Sequence, residues 1–184
     1  DLKEYDVLVS SGEQISCALI SGYLEKIGYK SRSFMGWQVP IITDSNHGNS
    51  KILHISKKNI LNFLKKNGIP VIAGFQGIDM NNRITTLGRG ASDYTAIMIS
   101  KYFKAEKCVI YTDVDGVMTT DPKIYKNAIK INEISYEEML EMSSLGSKVM
   151  QSNSVQDARL NRIKVDVRSS FKSRNGTLIT KRKN

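Results

Sequence analysis

Cysteine is scarce in this chain: of 184 residues only Cys17 and Cys108 carry thiols, with no CxxC pair and no neighbouring His. A disulfide framework and a thiolate metal site are therefore disfavoured, and two buried thiols in a reducing compartment are expected. Proline is nearly as rare, at three, and thirteen Gly are spread along the chain. That composition lies outside collagen-like and low-complexity chains. No run approaches the ~20 apolar residues a bilayer crossing needs. The opening Asp1-Leu2-Lys3-Glu4-Tyr5-Asp6 also lacks the basic-then-apolar pattern of a secretory signal. The chain reads as soluble and cytoplasmic, with no membrane partner. It begins with Asp rather than Met, so a processed chain or a piece of a longer one is expected.

What is present suits a globular protein, with 40% hydrophobic and 8% aromatic residues. A chain of this length can bury roughly 70% of its unfolded surface in one core, so one domain spanning residues 1–184 is expected. Net charge is +9, from 27 basic and 18 acidic residues. The basic residues are scattered, as in Lys57-Lys58, Lys65-Lys66 and Lys181-Arg182-Lys183, and most are Lys rather than the Arg favoured for phosphate and base forks. Solvated helix faces explain them, and no nucleic-acid partner is expected.

Periodicity sets out the elements. Tyr5–Val9 reads as a strand, Ser10-Ser11-Gly12-Glu13 as a tight turn, and Gln14–Lys26 as a helix closed by Gly28. Val39–Ile42 reads as a strand region. Ser56 is placed to cap a helix carrying Ile60, Leu61, Phe63 and Leu64, which Gly68 ends. Ile69–Gly74 is a buried strand. Beyond a polar loop, Ser92 or Asp93 caps Tyr94–Lys104, and Cys108–Tyr111 is another strand. Ser135 and Glu138 form a capping box, Gly146 separates that helix from one spanning about 147–162, and Lys164–Val167 and Thr177–Ile179 are strands. Short apolar strands alternating with helices call for an α/β fold with a mainly parallel sheet covered on both faces. Ligands of such sheets collect where strand ends meet helix N-termini.

Four loops then carry the chemistry. In Ile84–Asp93 two Gly permit close backbone approach and Arg89 offers a bidentate fork, an anion site by construction; it is neither a Walker A loop nor the dinucleotide fingerprint. A plain glycine loop with an ordinary helix cap is the alternative. In Tyr111–Val117, Asp113 and Asp115 could hold Mg²⁺ or accept from a ribose, or simply form an Asp-Gly turn. Glu13 is either a helix-stabilising acid or a partner for a substrate ammonium. Lys148, in Leu145-Gly146-Ser147-Lys148, is either a misplaced cation at a helix start or a surface Lys. His47 and His54 stand in a polar stretch, and no G-x-S-x-G or H-E-x-x-H occurs, so triads and zinc hydrolysis are disfavoured. Positive charge, backbone donors and carboxylates suit phosphoryl transfer, which works by positioning and charge neutralisation.

Together, Ser10–Glu13 (SSGE), Val71–Gly77 (VIAGFQG), Ile84–Asp93 (ITTLGRGASD), Tyr111–Val117 (YTDVDGV), Thr120-Asp121-Pro122, Ile134–Leu140 (ISYEEML) and Leu145–Val149 (LGSKV) resemble the catalytic domain of aspartate kinases, in the family's order and over nearly the whole chain. The resemblance implies a three-layer α/β/α sandwich around a mainly parallel sheet, the amino-acid-kinase fold, here amino-terminally truncated. It implies MgATP-dependent phosphorylation of the β-carboxylate of L-aspartate to 4-phospho-L-aspartate, the entry step to lysine, threonine and methionine, and a homodimer. On the matched positions, Glu13 holds the substrate ammonium, Arg89 its α-carboxylate, and Gly90, Ala91, Ser92 and Asp93 complete the pocket. Thr112 and Asp113 meet the nucleotide, Met118, Thr119, Thr120, Asp121, Pro122 and Lys123 line its other side, and Lys148 reaches the phosphates. Asp93 and Lys148 are the candidate catalytic groups, and no protein residue is assigned as a metal ligand.

The sequence also departs from the family. A Lys-Phe-Gly-Gly turn is not among residues 1–184, so a complete enzyme is expected to carry one upstream of Asp1. ACT regulatory modules are not within the chain either. Met118 replaces an aromatic, Lys123 an Arg, and Gln151-Ser152-Asn153 stand where His-Pro is typical. Two other readings stay open: a sister kinase acting on uridylate, glutamate or acetylglutamate, and a noncatalytic binding module of the same fold.

Overall fold

The computed structural model describes residues 1–88, 90–147 and 149–182. The chain divides into two compact units, Asp1–Thr95 and Ala96–Asn184.

The first unit opens on a single 25-residue helix, α1 (Leu2–Lys26). The expected strand over Tyr5–Val9 and turn over Ser10–Glu13 are not there. Asp6, Ser10, Cys17 and Ser21 are its buried positions, spaced by four, seven and four residues, which is one stripe of a helix. The inward stripe is polar, whereas Val7 and Leu8, which suggested a strand, are exposed. Asp1 caps the helix, accepting from Lys3 N at 2.9 Å. Its far end stops as expected: Gly28, at φ +92°, donates its N–H to Glu25 O, in the left-handed conformation where glycine carries no Cβ penalty.

Strands β1 (Ser31–Phe34) and β4 (Ile69–Ile72) pair in parallel. A second sheet runs in the order β3 (Ile52–Ile55), β2 (Ile41–Thr43), β5 (Gln76–Ile78), β6 (Ile84–Thr86), with β2/β5 parallel and the other pairs antiparallel. Helix α2 (Lys58–Leu64) lies before β4; its N-cap is Lys57, and Ser56 does not cap it. The Ser56 N–H is committed elsewhere, to Pro40 O. Phe34, Val39, Ile41, Ile55, Ile60 and Ala73 form the apolar interior. Cys17 and Cys108 are both buried free thiols, as expected.

Helix α3 (Ala91–Phe103) begins at the end of this unit. It starts three residues before the expected Tyr94, so Ser92 and Asp93 sit inside its first turn rather than at its cap.

The second unit holds a sheet ordered β7 (Cys108–Thr112), β9 (Val165–Ser169), β10 (Thr177–Thr180), β8 (Glu133–Ser135), with β7/β9 and β8/β10 parallel and β9/β10 antiparallel. The capping box at α4 (Tyr136–Ser144) is present in full. Helix α5 spans Ser152–Asn161, starting five residues later than expected. The preceding Met150 is 2% exposed and packs with Val117, Tyr136, Met139, Val155, Val165, Val167 and Ile179; burying it in an irregular segment delays the helix. Among the described residues, no helix is long and apolar enough to cross a membrane.

Candidate functional site

In the first unit the structure brings Glu13 and the start of α3 together. Glu13 lies mid-helix on α1, half-buried, and accepts a hydrogen bond from Ser92 Oγ at 3.2 Å. Asp93 follows in the same turn, and burial pushes its carboxyl above the usual range. Gly90 is exposed with φ +74°, and Ala91 is buried. Arg89 lies outside the described residues. A carboxylate and a hydroxyl in contact, with a second, half-buried carboxyl alongside, can accept an ammonium group while the open helix end donates N–H groups to an anion.

Sequence reasoning missed the groups beneath these residues. Phe75 adopts φ +65°, uncommon for a bulky residue. Its N–H donates to Thr95 Oγ1 at 3.0 Å, and that hydroxyl donates to Ala91 O at 2.9 Å. The next residue, Gln76, has no exposed surface. Its amide donates to Ser10 O at 3.3 Å and accepts from Gln14 Nε2 at 3.2 Å. Only the VIAGFQG segment hinted at these residues, through an amide placed in an otherwise apolar stretch.

At the other end of α1, Asp6, with no exposed surface, accepts from Thr86 Oγ1 at 2.5 Å and from Gly48 N at 3.0 Å. His47 Nδ1 lies 2.7 Å from it, and His47 Nε2 stands 3.9 Å from Asp79 Oδ2. Burial acts to raise Asp79, but the Arg83 and Asn81 N–H groups, the Ser45 hydroxyl and His47 outweigh it and hold the carboxyl below its ordinary value.

In the second unit the Tyr111–Val117 loop leaves the end of β7. Thr112 Oγ1 donates to Asp113 Oδ1 at 3.2 Å, and Asp113 is exposed. Asp115, by contrast, is paired with Lys172 at 2.8 Å, and that hydrogen bond, with the charges of Lys172, Arg174 and Lys130, holds its carboxyl low. Of the two acids weighed for Mg²⁺, Asp115 is thus engaged in an ion pair, although its side chain is still 42% exposed. Gly116 at φ +134° lets the chain turn against Thr177, whose Oγ1 a Cβ would meet at 2.6 Å. Thr177 Oγ1 also accepts from Val117 N at 2.8 Å and donates to Ile131 O at 2.5 Å. That pins the base of a segment in which Met118 pairs with Lys130 and Thr119 Oγ1 accepts from Ile129 N. At its tip Asp121 accepts from Lys123 N at 2.8 Å; Thr120, Asp121, Pro122 and Lys123 are exposed. Lys148 lies outside the described residues.

Comparison with known proteins agrees with this architecture. The chain is 47% identical over 177 residues to an aspartokinase of Geobacillus stearothermophilus, covering 96% of this chain and 44% of that protein. It is 49% identical over 178 residues to an aspartokinase of Pseudomonas aeruginosa, covering 97% and 43%. The chain thus spans less than half the length of these relatives. A crystal structure of E. coli aspartokinase III in complex with aspartate and ADP, in the R-state, superposes with a TM-score of 0.92 at 32% identity, over 100% of this chain and 42% of that one. UMP kinase from Bacillus anthracis, 18% identical, matches with a TM-score of 0.70 over 98% of this chain and 70% of that one, which shows a shared fold. The amino acid kinase family matches over residues 1–169, and the chain belongs to that family.

Proposed function

We propose that residues 1–184 form part of the catalytic domain of an aspartate kinase, which transfers the γ-phosphoryl group of ATP to the β-carboxylate of L-aspartate. An oxygen of that carboxylate forms a bond to the γ-phosphorus while the bond to the bridging oxygen breaks, its electron pair leaving with ADP. The product is 4-phospho-L-aspartate. The observation that carries this reading is the Ser92–Glu13 hydrogen bond, which seats a carboxylate against the first turn of α3 in a chain so similar to aspartokinases.

The acceptor carboxylate is already ionised at neutral pH, so no general base is needed and the task is to hold charges in place. Glu13 takes the substrate ammonium and Arg89 its α-carboxylate in two parallel hydrogen bonds. Gly90, Ala91 and Ser92 border them. Lys148 is the cation proposed to neutralise charge on the migrating phosphoryl group, and Asp93 completes the substrate pocket and helps to align the acceptor. Thr112, Asp113 and Met118 through Lys123 receive the nucleotide. Mg²⁺ would shield the phosphate charge. The hard oxygens of Thr112 and Asp113 fit such an ion beside the phosphates. A cytoplasmic site of action and a homodimer complete the proposal; Leu8, Ile15, Leu19 and Tyr23 on α1 are exposed and offer an apolar surface for the latter.

The test is incubation with MgATP and candidate acceptors, trapping any acyl phosphate with hydroxylamine. Hydroxamate with L-aspartate supports the proposal. Product with glutamate, acetylglutamate or uridylate in its place would assign a sister activity, and none at all from a chain extended upstream of Asp1 to include the Lys-Phe-Gly-Gly turn would assign a noncatalytic role.

A further inference from the structure

The Phe75–Gln76 step lies between the two helices that present Glu13 and Ser92. On one side the Phe75 N–H is held by Thr95 Oγ1 at 3.0 Å, and the same hydroxyl reaches Ala91 O at 2.9 Å, one residue before Ser92. On the other, the buried Gln76 side chain bridges Ser10 O and Gln14 Nε2, the residue after Glu13. The Phe75 carbonyl is also engaged, accepting from Leu87 N at 3.0 Å. Every polar group of this step named here is therefore committed to an element that carries or adjoins a candidate site residue.

We infer that Thr95 and Gln76 are positioning residues: through the left-handed Phe75 they set the separation of Glu13 from Ser92, and hence the register in which a zwitterionic amino acid is held. Three features support this. Phe75 occupies a backbone region that persists only where its surroundings over-determine it, and two hydrogen bonds from different elements do so here. Thr95, 2% exposed, donates and accepts at once, so its hydroxyl has no slack. Gln76, with no exposed surface, uses its amide to reach a backbone carbonyl and a side chain of α1 rather than to extend its own strand's pairing. Their hydrogen bonds run to α1 and to the first turn of α3, the elements that carry the amino-acid-binding candidates, so the effect falls on the amino-acid substrate.

This inference rests on the aspartate kinase reading, and the experiment separates the two. Thr95→Val keeps the shape and removes the hydroxyl, leaving the Phe75 N–H without its acceptor; Thr95→Ser restores it. Kinetics on the full-length protein should give Thr95→Val an aspartate KM about tenfold higher or more, an unchanged ATP KM, and a Ser variant within about twofold of the parent. Gln76→Met should reproduce that selective rise and serves if the Val variant does not fold. Amide exchange at Phe75 supplies a readout independent of activity: fast in the Val variant, slow in the parent and the Ser variant. Equal rises in both KM values, no rise in either folded variant, or unchanged Phe75 exchange overturns the inference. A parent that exchanges as described but forms no hydroxamate with aspartate overturns the enzymatic reading alone.

Discussion

The carboxyl group of Asp6 and the ring of His47 meet at 2.7 Å across 41 residues of sequence, and they fasten the N-terminal half of α1 to the loop between β2 and β3. Asp6 has no exposed surface and takes Gly48 N and Thr86 Oγ1 as well. Removing it strands three donors in the interior. Asp6→Ala is expected to cost about 3 kcal/mol of unfolding free energy, more than a typical point substitution. Urea denaturation checks this, and a loss below about 1 kcal/mol would show that the contacts contribute little.

Asp79 gives this region a pH signature. Its folded-state pKa lies below the ordinary carboxylate value, so its contribution is present above the unfolded pKa and is lost as pH falls through the folded one. Acid melts of the parent should therefore fall off below about pH 4 more steeply than those of Asp79→Asn. Parallel acid limbs would remove Asp79 from the account.

Glu13→Gln keeps the size and the contact with Ser92 but removes the charge offered to an ammonium group. The aspartate KM should rise by about tenfold to a hundredfold with the ATP KM unchanged. Succinate, which lacks the amine, should discriminate little between parent and variant. A proportional rise in both KM values would deny Glu13 its substrate role.

Gly116→Ala places a methyl group 2.6 Å from Thr177 Oγ1 at a φ of +134°, where strain and overlap coincide. A loss of about 2 kcal/mol or more is expected, with the ATP KM raised because the segment carrying Met118 to Lys123 shifts at its base. Thermal melts and nucleotide kinetics together test it, and an unperturbed Tm would contradict the packing described.

The α/β class, the capping box at Ser135 and the strands at Ile69, Cys108, Val165 and Thr177 were legible in the sequence because apolar runs and caps are local signals. The helical state of Tyr5–Val9 was not, since its buried stripe is Asp6, Ser10, Cys17 and Ser21, and no hydrophobic pattern marks a polar face as inward. The β5–β6 hairpin was hidden likewise: its strands are three residues long and include Gln76, Thr85 and Thr86, all buried. Loop chemistry and family resemblance pointed to Glu13, Ser92 and Asp93 as candidates, and the structure joins Ser92 to Glu13; the hydrogen bonds of Thr95 and Gln76 span 20 and 66 residues of sequence and leave no local signal.

Because α1 is one uninterrupted helix, Asp6 and Glu13 are two turns apart on the same side of a single stiff rod, about 10 Å along its axis. A rod of that kind cannot twist at one end alone. Any rotation that draws Asp6 away from His47 swings Glu13 past Ser92 through a like angle, so a change at the buried root is felt as misalignment at the tip.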